Sequence, residues 1–423
     1  MDSQTYVQLL RRNRSFRRLF SGQVISELGN WFNFIAALGM VRVVSNAAPE
    51  VTTLLLISRL VPYTLFGPLA GAFVDRWSRR TVMIVTDLLR VVIALAFLLV
   101  DGPEDLWIAY VATALLSIFS VFFEAAKNAA VPNITGEQDL LAGNALMFSS
   151  RFLFMSLGAA LGGWTSDWVG YSAAFVINAV SFFASAYSVW LVPAREMQQY
   201  PTTAVTEKQP VKLYSGYWTS IREGWRYIVA HGAVALILAT NIVWAVGGGA
   251  ANLIADRLGA LVFAGENGVS ADSAVAALYF ASGIGLFLGM MVARRVGIYF
   301  EVKQRTLGFI GWSLVAQGIA FALIGVMPSL VWACVMMCVS RVIIGAEFAV
   351  QETLLMRLVP DKLRGRVSTT DRAAEMMIWA FSTAAAGWSL QLISERTLTV
   401  VAGLLSGVAG VMWLVVTRRG LPE

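Results

Sequence analysis

Ten residues between two long apolar runs read Gly71-Ala72-Phe73-Val74-Asp75-Arg76-Trp77-Ser78-Arg79-Arg80. The run before this loop covers 54–74, and the run after it covers 81–100. A helix of about 20 apolar residues crosses a hydrocarbon core about 30 Å thick. Two such helices joined by so short a loop must be antiparallel neighbours. The sequence therefore predicts a helical hairpin in a membrane, with this loop at the membrane surface.

The residues of the loop suit a position at the membrane surface beside the end of another helix. Asp75 can accept hydrogen bonds from the N–H groups of a facing helix end, where the helix dipole favours an anion. Gly71 lies four residues after Gly67, a small-xxx-small spacing that allows another helix to approach closely. Basic residues favour the cytoplasmic side of a membrane, and the loop contains Arg76, Arg79 and Arg80. The alternative is a plain topology signal with a chance aspartate.

Apolar runs of this length recur along the whole chain. Of its 423 residues, 57% are apolar and only 14% are charged, which is not the composition of a soluble protein. We predict an all-α integral membrane protein whose twelve transmembrane helices form two six-helix bundles. The spans are predicted at about 19–44, 51–74, 81–100, 106–127, 140–165, 168–192, 231–256, 273–295, 306–327, 329–355, 369–394 and 398–417.

The net charge of +6 indicates orientation rather than nucleic-acid binding. Most of the 32 lysines and arginines fall in the N-terminal segment, the even-numbered loops and the C-terminal segment. Only Arg257 and Arg396 fall in the opposite loops. By the positive-inside rule, we expect a multi-pass protein of the inner (plasma) membrane with both termini in the cytoplasm.

Polar and ionisable side chains inside the predicted spans are candidates for coupling or for lining a cavity. Glu27 lies about two turns into the first span, a depth at which an ionisable residue is a functional hypothesis by default. An ion pair that serves packing is an equally open interpretation of Glu27. Asp87 and Arg90 are three residues apart, which permits a local ion pair that is either structural or part of a gate. The remaining candidates are Asn30, Asn33, Arg59, Arg151, Arg341 and Glu347.

Two further patterns predict how the helices are grouped. A flat G-x-x-x-G face for helix packing is formed in the fifth span by Gly158, Gly162 and Gly163. Residues 193–210 are polar and without pattern, which predicts a linker. An amphipathic basic helix at the cytoplasmic interface follows the linker, with partner binding as its alternative role. We therefore predict an N-terminal bundle over 1–192, a linker with its helix over 193–230, and a C-terminal bundle over 231–423.

The loop 71–80, the twelve spans and an internal repeat together resemble the major facilitator superfamily. In the repeat, Glu124 and Pro132 correspond to Glu352 and Pro360. Three segments are similar to the bacterial exporter branch that includes the macrolide efflux and enterobactin exporter proteins: 26–31, 175–182 and the loop 360–367. The resemblance implies two six-helix units in the same orientation that work by alternating access.

This resemblance implies a secondary transporter that exports an amphipathic small molecule, such as a drug or a siderophore. Efflux as a proton antiporter, with multidrug resistance as its consequence, is the corresponding hypothesis. Uptake or facilitated passage of a small polar solute is one alternative, and lipid translocation is another. A sensor or scaffold that does not transport is the remaining alternative.

No enzymatic activity is expected, because the sequence has one histidine, His231, and no nucleophile–base pattern or phosphate-binding loop. Cys334 and Cys338 are one turn apart but have no histidine or carboxylate nearby, which favours core residues over a metal pair. We expect no cofactor, no metal and no nucleic acid. The expected partners are a small-molecule substrate, protons and membrane lipid, and the expected oligomeric state is a monomer.

The charge distribution predicts the result of reporter fusions. A fusion within 193–210 should report the cytoplasm and a fusion within 262–270 should report the outside, because the outward loops contain so few basic residues. A paired alkaline phosphatase and fluorescent-protein assay measures both. A cytoplasmic signal from a fusion at Glu266 would overturn the predicted number of spans.

Overall fold

The computed structural model describes residues 3–74, 76–198, 213–418 and 420–421. Asp75 and most of the predicted linker lie outside the described residues. The described residues form helices α1 Ser3–Arg12, α2 Arg14–Val44, α3 Pro49–Val74, α4 Arg79–Ala96, α5 Leu106–Trp168, α6 Tyr171–Trp190, α7 Ala194–Met197, α8 Leu213–Ala230, α9 Gly232–Gly248, α10 Ala251–Arg257, α11 Ala271–Val302, α12 Thr306–Ile324, α13 Leu330–Leu358, α14 Asp361–Ser389 and α15 Glu395–Val416.

The predicted all-α membrane fold is confirmed. Within the described residues, nine helical stretches are long and apolar enough to cross a membrane. One of them, Pro103–Trp168, contains two of the predicted spans, and α3 and α14 correspond to two others. Each of the twelve predicted spans therefore has a helical counterpart.

The helix ends differ from the prediction where local chemistry decides them. The loop predicted between the fourth and fifth spans is reduced to a kink at Gly136, where the two helical parts of the 63-residue stretch α5 meet. Gly136 has a φ of 68° and a ψ of 176°, a conformation that glycine adopts at little cost. Helix α14 begins at Asp361, directly after Pro360. The predicted span begins several residues later, because the first turns of α14 are charged and lack the apolar composition of a membrane span.

Two compact units divide the chain. Unit 1 comprises Met1–Ala47 and Val61–Gly216, and unit 2 comprises Ala48–Leu60 and Tyr217–Glu423. The first part of α3 therefore groups with unit 2, although the predicted N-terminal bundle includes it. The reason is packing, since a Cβ added at Gly387 of α14 would lie 2.1 Å from the Thr53 hydroxyl oxygen.

Helix α8, which the sequence predicts as an interfacial amphipathic helix, packs on unit 2 through its last turns. The Tyr227 hydroxyl donates a hydrogen bond to the Leu358 carbonyl oxygen at 3.3 Å. Ile228 is 2% exposed and belongs to the apolar core of unit 2, whereas Trp225 remains half exposed. At least part of the apolar face of α8 therefore covers protein.

In unit 1, α5 packs closely on α2 at the predicted glycine face. A Cβ added at Gly158 would lie 2.7 Å from the Trp31 Cβ and 3.1 Å from the Leu28 carbonyl oxygen. A Cβ added at Gly162 would lie 3.1 Å from the Phe32 Cα. The two helices can approach this closely only because neither position carries a side chain.

This contact predicts opposite results for the same substitution at two helical glycines. Gly158→Ala should destabilise the protein by about 1–3 kcal/mol, because the added methyl overpacks the interface. Gly308→Ala is the matched control: nothing lies within 4 Å of its added Cβ, so alanine should be neutral or stabilising by up to about 1 kcal/mol. Thermal melting of the purified protein in detergent measures both, and equal melting temperatures would contradict the packing role.

Candidate functional site

The arginines at the start of α4 bind backbone carbonyl groups. The Arg79 guanidinium donates to the carbonyl oxygens of Ala129 at 2.8 Å and Met197 at 3.1 Å. The Arg80 guanidinium donates to the carbonyl oxygen of Trp190, the last residue of α6. Carbonyl groups at a helix C-terminus lack a partner within the helix and favour a cation. These two residues of the predicted gating motif therefore fasten helix ends within unit 1.

The rest of the predicted motif is placed differently. Ser78 caps α4, because its hydroxyl accepts a hydrogen bond from the Thr81 N–H. Arg76 is exposed. The predicted close helix approach at Gly67 and Gly71 is not present: among the described residues, no atom lies within 4 Å of a Cβ added at either position. The small-xxx-small face is open in this structure.

Asp87 and Arg90 form an ion pair in the interior of unit 1. Both side chains are at most 2% exposed, and the Arg90 guanidinium donates to the Asp87 carboxylate. The guanidinium lies 4.5 Å from the ring centroids of Phe123 and Phe182. Two aromatic faces and a carboxylate therefore hold Arg90 in one position.

A second ion pair lies on α5, whereas the Asp87–Arg90 pair lies on α4. The Lys127 ammonium contacts both carboxylate oxygens of Glu124 at 2.7 Å. Glu124 also interacts electrostatically with Arg151 and Arg90, which connects the two pairs. Lys127 is 4% exposed, so the pair replaces its hydration.

Arg151 completes this group of charges. It interacts with Glu27 and Glu124, and it hydrogen-bonds to the Tyr63 side chain. Unlike Arg90, Arg151 retains an exposed side chain. We define the unit 1 charge cluster as Glu27, Asp87, Arg90, Glu124, Lys127 and Arg151, whose three acids and three bases cancel in formal charge.

Within the cluster, Arg151 is a cationic neighbour of Glu27. This neighbour is what the interpretation of Glu27 as part of an ion pair needs. The other polar candidates predicted in the first six spans are Asn30, Asn33 and Arg59, the last of which lies in the part of α3 that groups with unit 2. Asn33 is 6% exposed, and its side-chain oxygen has no hydrogen-bond partner. Asn30 and Arg59 are partly buried.

Unit 2 distributes its charges differently. The Asp371 carboxylate accepts hydrogen bonds from the Asn241 amide at 3.0 and 3.3 Å. Asp371 and Glu375 interact electrostatically with each other, with Glu352 and with Arg372. This group, the unit 2 acidic group, therefore contains three carboxylates and one guanidinium.

Two predicted candidates of unit 2 lie apart from that group. Glu347 is 2% exposed, and its Oε1 has no hydrogen-bond partner. The Arg341 guanidinium lies 5.4 Å from the centroid of the Phe321 ring. A separate polar chain connects three helices, because Trp244 donates to Gln317 at 3.0 Å and Gln317 donates to Ser340 at 3.3 Å.

The sequence analysis missed Lys127, Asp371 and Glu375 as candidates. All three have the signal that selected the others, a charge within or beside an apolar run. Asp371 and Glu375 are also four residues apart, which places them on one helix face. Asp371 and Glu375 were missed because they fall near the predicted start of the eleventh span, and Lys127 because it is the last residue of the predicted fourth span; charges are ordinary at the edge of a span.

Two pockets in the described residues contain none of the candidates. One has a volume of about 740 Å³ and is lined by residues of α1, α2 and α5 around Gly136. The other, of about 540 Å³, shares Gly136 and Glu196 with it. Both are open to solvent. The described residues contain no group of three or more potential metal ligands.

A family model described as the Major Facilitator Superfamily matches residues 19–370. The chain belongs to the Major Facilitator Superfamily. Members of this family are transporters rather than enzymes, which agrees with the absence of a catalytic pattern in the sequence.

Curated relatives match about half of the chain. An uncharacterized MFS-type transporter, YfiS of Bacillus subtilis (strain 168), is 29% identical over 52% of this chain and 50% of its own length. The lysophospholipid transporter LplT of Pectobacterium carotovorum subsp. carotovorum (strain PC1) is 23% identical over 53% of each chain. The chain thus spans about half the length of the curated relatives it matches.

Solved structures confirm the fold over nearly the whole chain. A bacterial homologue of the human lysosomal transporter Spinster has a TM-score of 0.71 at 13% identity and covers 99% of this chain and 98% of its own. A bacterial homologue of the iron transporter ferroportin has a TM-score of 0.67 at 14% identity and covers 95% of this chain and 98% of its own. At these identities the likeness concerns the fold alone.

Because Asp87 and Arg90 are buried as a pair, we expect the stability of the folded protein to fall strongly when only one of the two is replaced. Arg90→Met should cost about 3–5 kcal/mol, because it leaves a buried carboxylate without its cation. The double variant Asp87→Leu/Arg90→Met should recover part of this loss, since no unpaired charge remains. Melting in detergent measures both effects.

The control for this prediction is Arg357→Met. Arg357 also pairs with a carboxylate, Glu301, at 2.6 Å, but both side chains are more than half exposed. Its removal should leave the melting temperature unchanged, because an exposed ion pair contributes little. Equal losses for Arg90→Met and Arg357→Met would contradict a structural role for the buried pair.

Proposed function

We propose that this chain is a secondary transporter that exports an amphipathic small molecule by alternating access, in exchange for protons. We place it in the inner membrane as a monomer with both termini in the cytoplasm. The observation that carries the proposal is Arg151, a cation among membrane helices that has acidic neighbours and yet stays accessible.

Such a cation can bind the charged head of an amphipathic molecule. Arg151 shares its charge with Glu27 and Glu124 and holds the Tyr63 hydroxyl. A phosphate or carboxylate head group would form a stronger, bidentate contact with the guanidinium. The two glutamates would then lose part of their compensation, so binding of the head group is linked to the charge state of the cluster.

The apolar surroundings supply the rest of the recognition. Permissive ligand sites are mostly apolar, with a few placed polar groups, and the chain offers 15 methionines and 24 phenylalanines. Drugs and siderophores with an apolar body and a polar head meet this description. The loop around Asp75, Arg79 and Arg80 is proposed to participate in gating.

Lipid translocation is the second candidate function, and the relatives favour it. Lysophospholipid transporters from several bacteria match this chain at 23–28% identity. A lysophospholipid is itself an amphipathic molecule with an anionic phosphate. The same cation can therefore serve either candidate substrate.

The test is transport by the purified full-length chain in liposomes with an imposed pH gradient. A fluorescent lysophospholipid, a lipophilic cationic dye and a catecholate siderophore are the probes, each with and without a proton uncoupler. Arg151→Gln should reduce transport of an anionic probe about tenfold or more, because it removes a charge-assisted contact of about 1.5–3 kcal/mol.

The matched control is Arg295→Gln, which removes an exposed arginine of α11 and should transport at the unmodified rate. Circular dichroism and melting curves establish that both variants are folded. Transport of no probe by the unmodified chain would refute export of amphipathic molecules. If the uncoupler does not change transport, proton exchange is refuted, but export of amphipathic molecules is not.

A further inference from the structure

Glu347 is a buried carboxyl group in the interior of unit 2. It lies on one face of α13 with Ser340, Ile344 and Gln351, and all four are less than 9% exposed. Its Oε1 has no hydrogen-bond partner, and the Nε2 of Gln351, one turn further along, also has none. The site thus holds two unsatisfied polar atoms with no cation between them.

Among the described residues, the helices packed against α13 bring no cation that is paired with Glu347. Helices α9 and α12 contain no ionisable residue. On α14, Arg372 lies over the Phe348 ring and interacts with Asp371 and Glu375.

Helix α11 packs closely on this part of α13, because a Cβ added at Gly289 would lie 3.1 Å from the Ala346 N. The basic residues of α11 nearest in sequence to that contact, Arg294 and Arg295, are exposed and lie five and six residues further along.

The other charged groups near this part of α13 have their own interactions. Arg341 lies over the Phe321 ring and interacts with Tyr279. Glu352 belongs to the unit 2 acidic group, where its interactions are with Asp371 and Glu375. Among the described residues, no cation is paired with Glu347.

An ionised carboxylate in this position would be very unfavourable. Burying an isolated charge costs several kcal/mol even after relaxation, whereas a neutral carboxyl costs only its missing hydrogen bonds. A metal cation is a poor solution, because hard cations need about six or more oxygen ligands and only Glu347 and Gln351 are present. A bound proton removes the charge with no further ligand.

We infer that Glu347 is a proton-binding site and that its proton is the one exchanged during transport. The inference rests on the proposed function, since it assigns the coupling step to this carboxyl. Glu27 and Asp87 are less suited to this role, because Arg151 and Arg90 already compensate their charges. Glu347 holds its proton in this conformation and releases it, as the carboxylate, when the transport cycle brings water to α13.

The direct test does not need a substrate. Infrared difference spectra of the full-length protein in liposomes, recorded between neutral and alkaline pH, should show the C=O stretch of a protonated carboxyl that disappears on deprotonation. The band should shift in heavy water and should be absent in Glu347→Gln. Glu301→Gln is the control, because Glu301 is an exposed, paired carboxylate of the same unit and should leave the band unchanged.

The second test measures coupling with whichever probe the unmodified chain transports. In Glu347→Gln, the pH gradient should no longer drive accumulation, so the inside and outside concentrations should become equal. Glu347→Asp keeps a carboxyl and should retain a shifted infrared band, which decides the assignment even where Glu347→Gln does not fold.

The outcomes separate this inference from the proposed function. An unchanged infrared band in Glu347→Gln would overturn the proton site, whatever is transported. Loss of the band with full uphill transport would overturn the coupling role. Failure of the unmodified chain to transport any probe would count against the proposed function, while the infrared result would still decide the proton site.

Discussion

The cost of an uncompensated charge among apolar helices is the constraint on which the interior of this protein depends. A buried charge is tolerated only if a partner, a hydrogen bond or a proton compensates it. Unit 1 uses partners: Asp87 binds Arg90, Glu124 binds Lys127, and Arg151 interacts with both Glu27 and Glu124. Because the formal charges cancel, the unit 1 charge cluster is stable in one ionisation state.

The same constraint operates at the helix ends. Carbonyl groups that end α6 and α7 need donors, and Arg79 and Arg80 supply them from the start of α4. The loop that the sequence predicts to be a gating motif therefore also stabilises the ends of α6 and α7 through hydrogen bonds from Arg79 and Arg80. Substitutions there will combine structural and functional effects, which only a stability measurement beside the transport assay can separate.

Unit 2 is compensated less completely than unit 1. Its acidic group has three carboxylates and one guanidinium, and in the part of the chain that the structure describes no cation is paired with Glu347. The proton that we infer at Glu347 would supply the compensation that no paired cation provides there. Unit 1 therefore compensates its buried charges by pairing, and we propose that unit 2 uses a bound proton in addition.

The sequence by itself determined the membrane class, the twelve spans and the family, because these depend on the length and repetition of apolar runs and on a short motif. It also found Glu27, Asp87, Arg151 and Glu347, because a charge within an apolar run is visible without a structure. Only the tertiary structure decided which of these charges are compensated. Arg90 packs between Phe123 and Phe182, whereas a carboxyl oxygen of Glu347 is buried without a hydrogen-bond partner. Those neighbours are distant in sequence, and no local pattern encodes which helix faces meet.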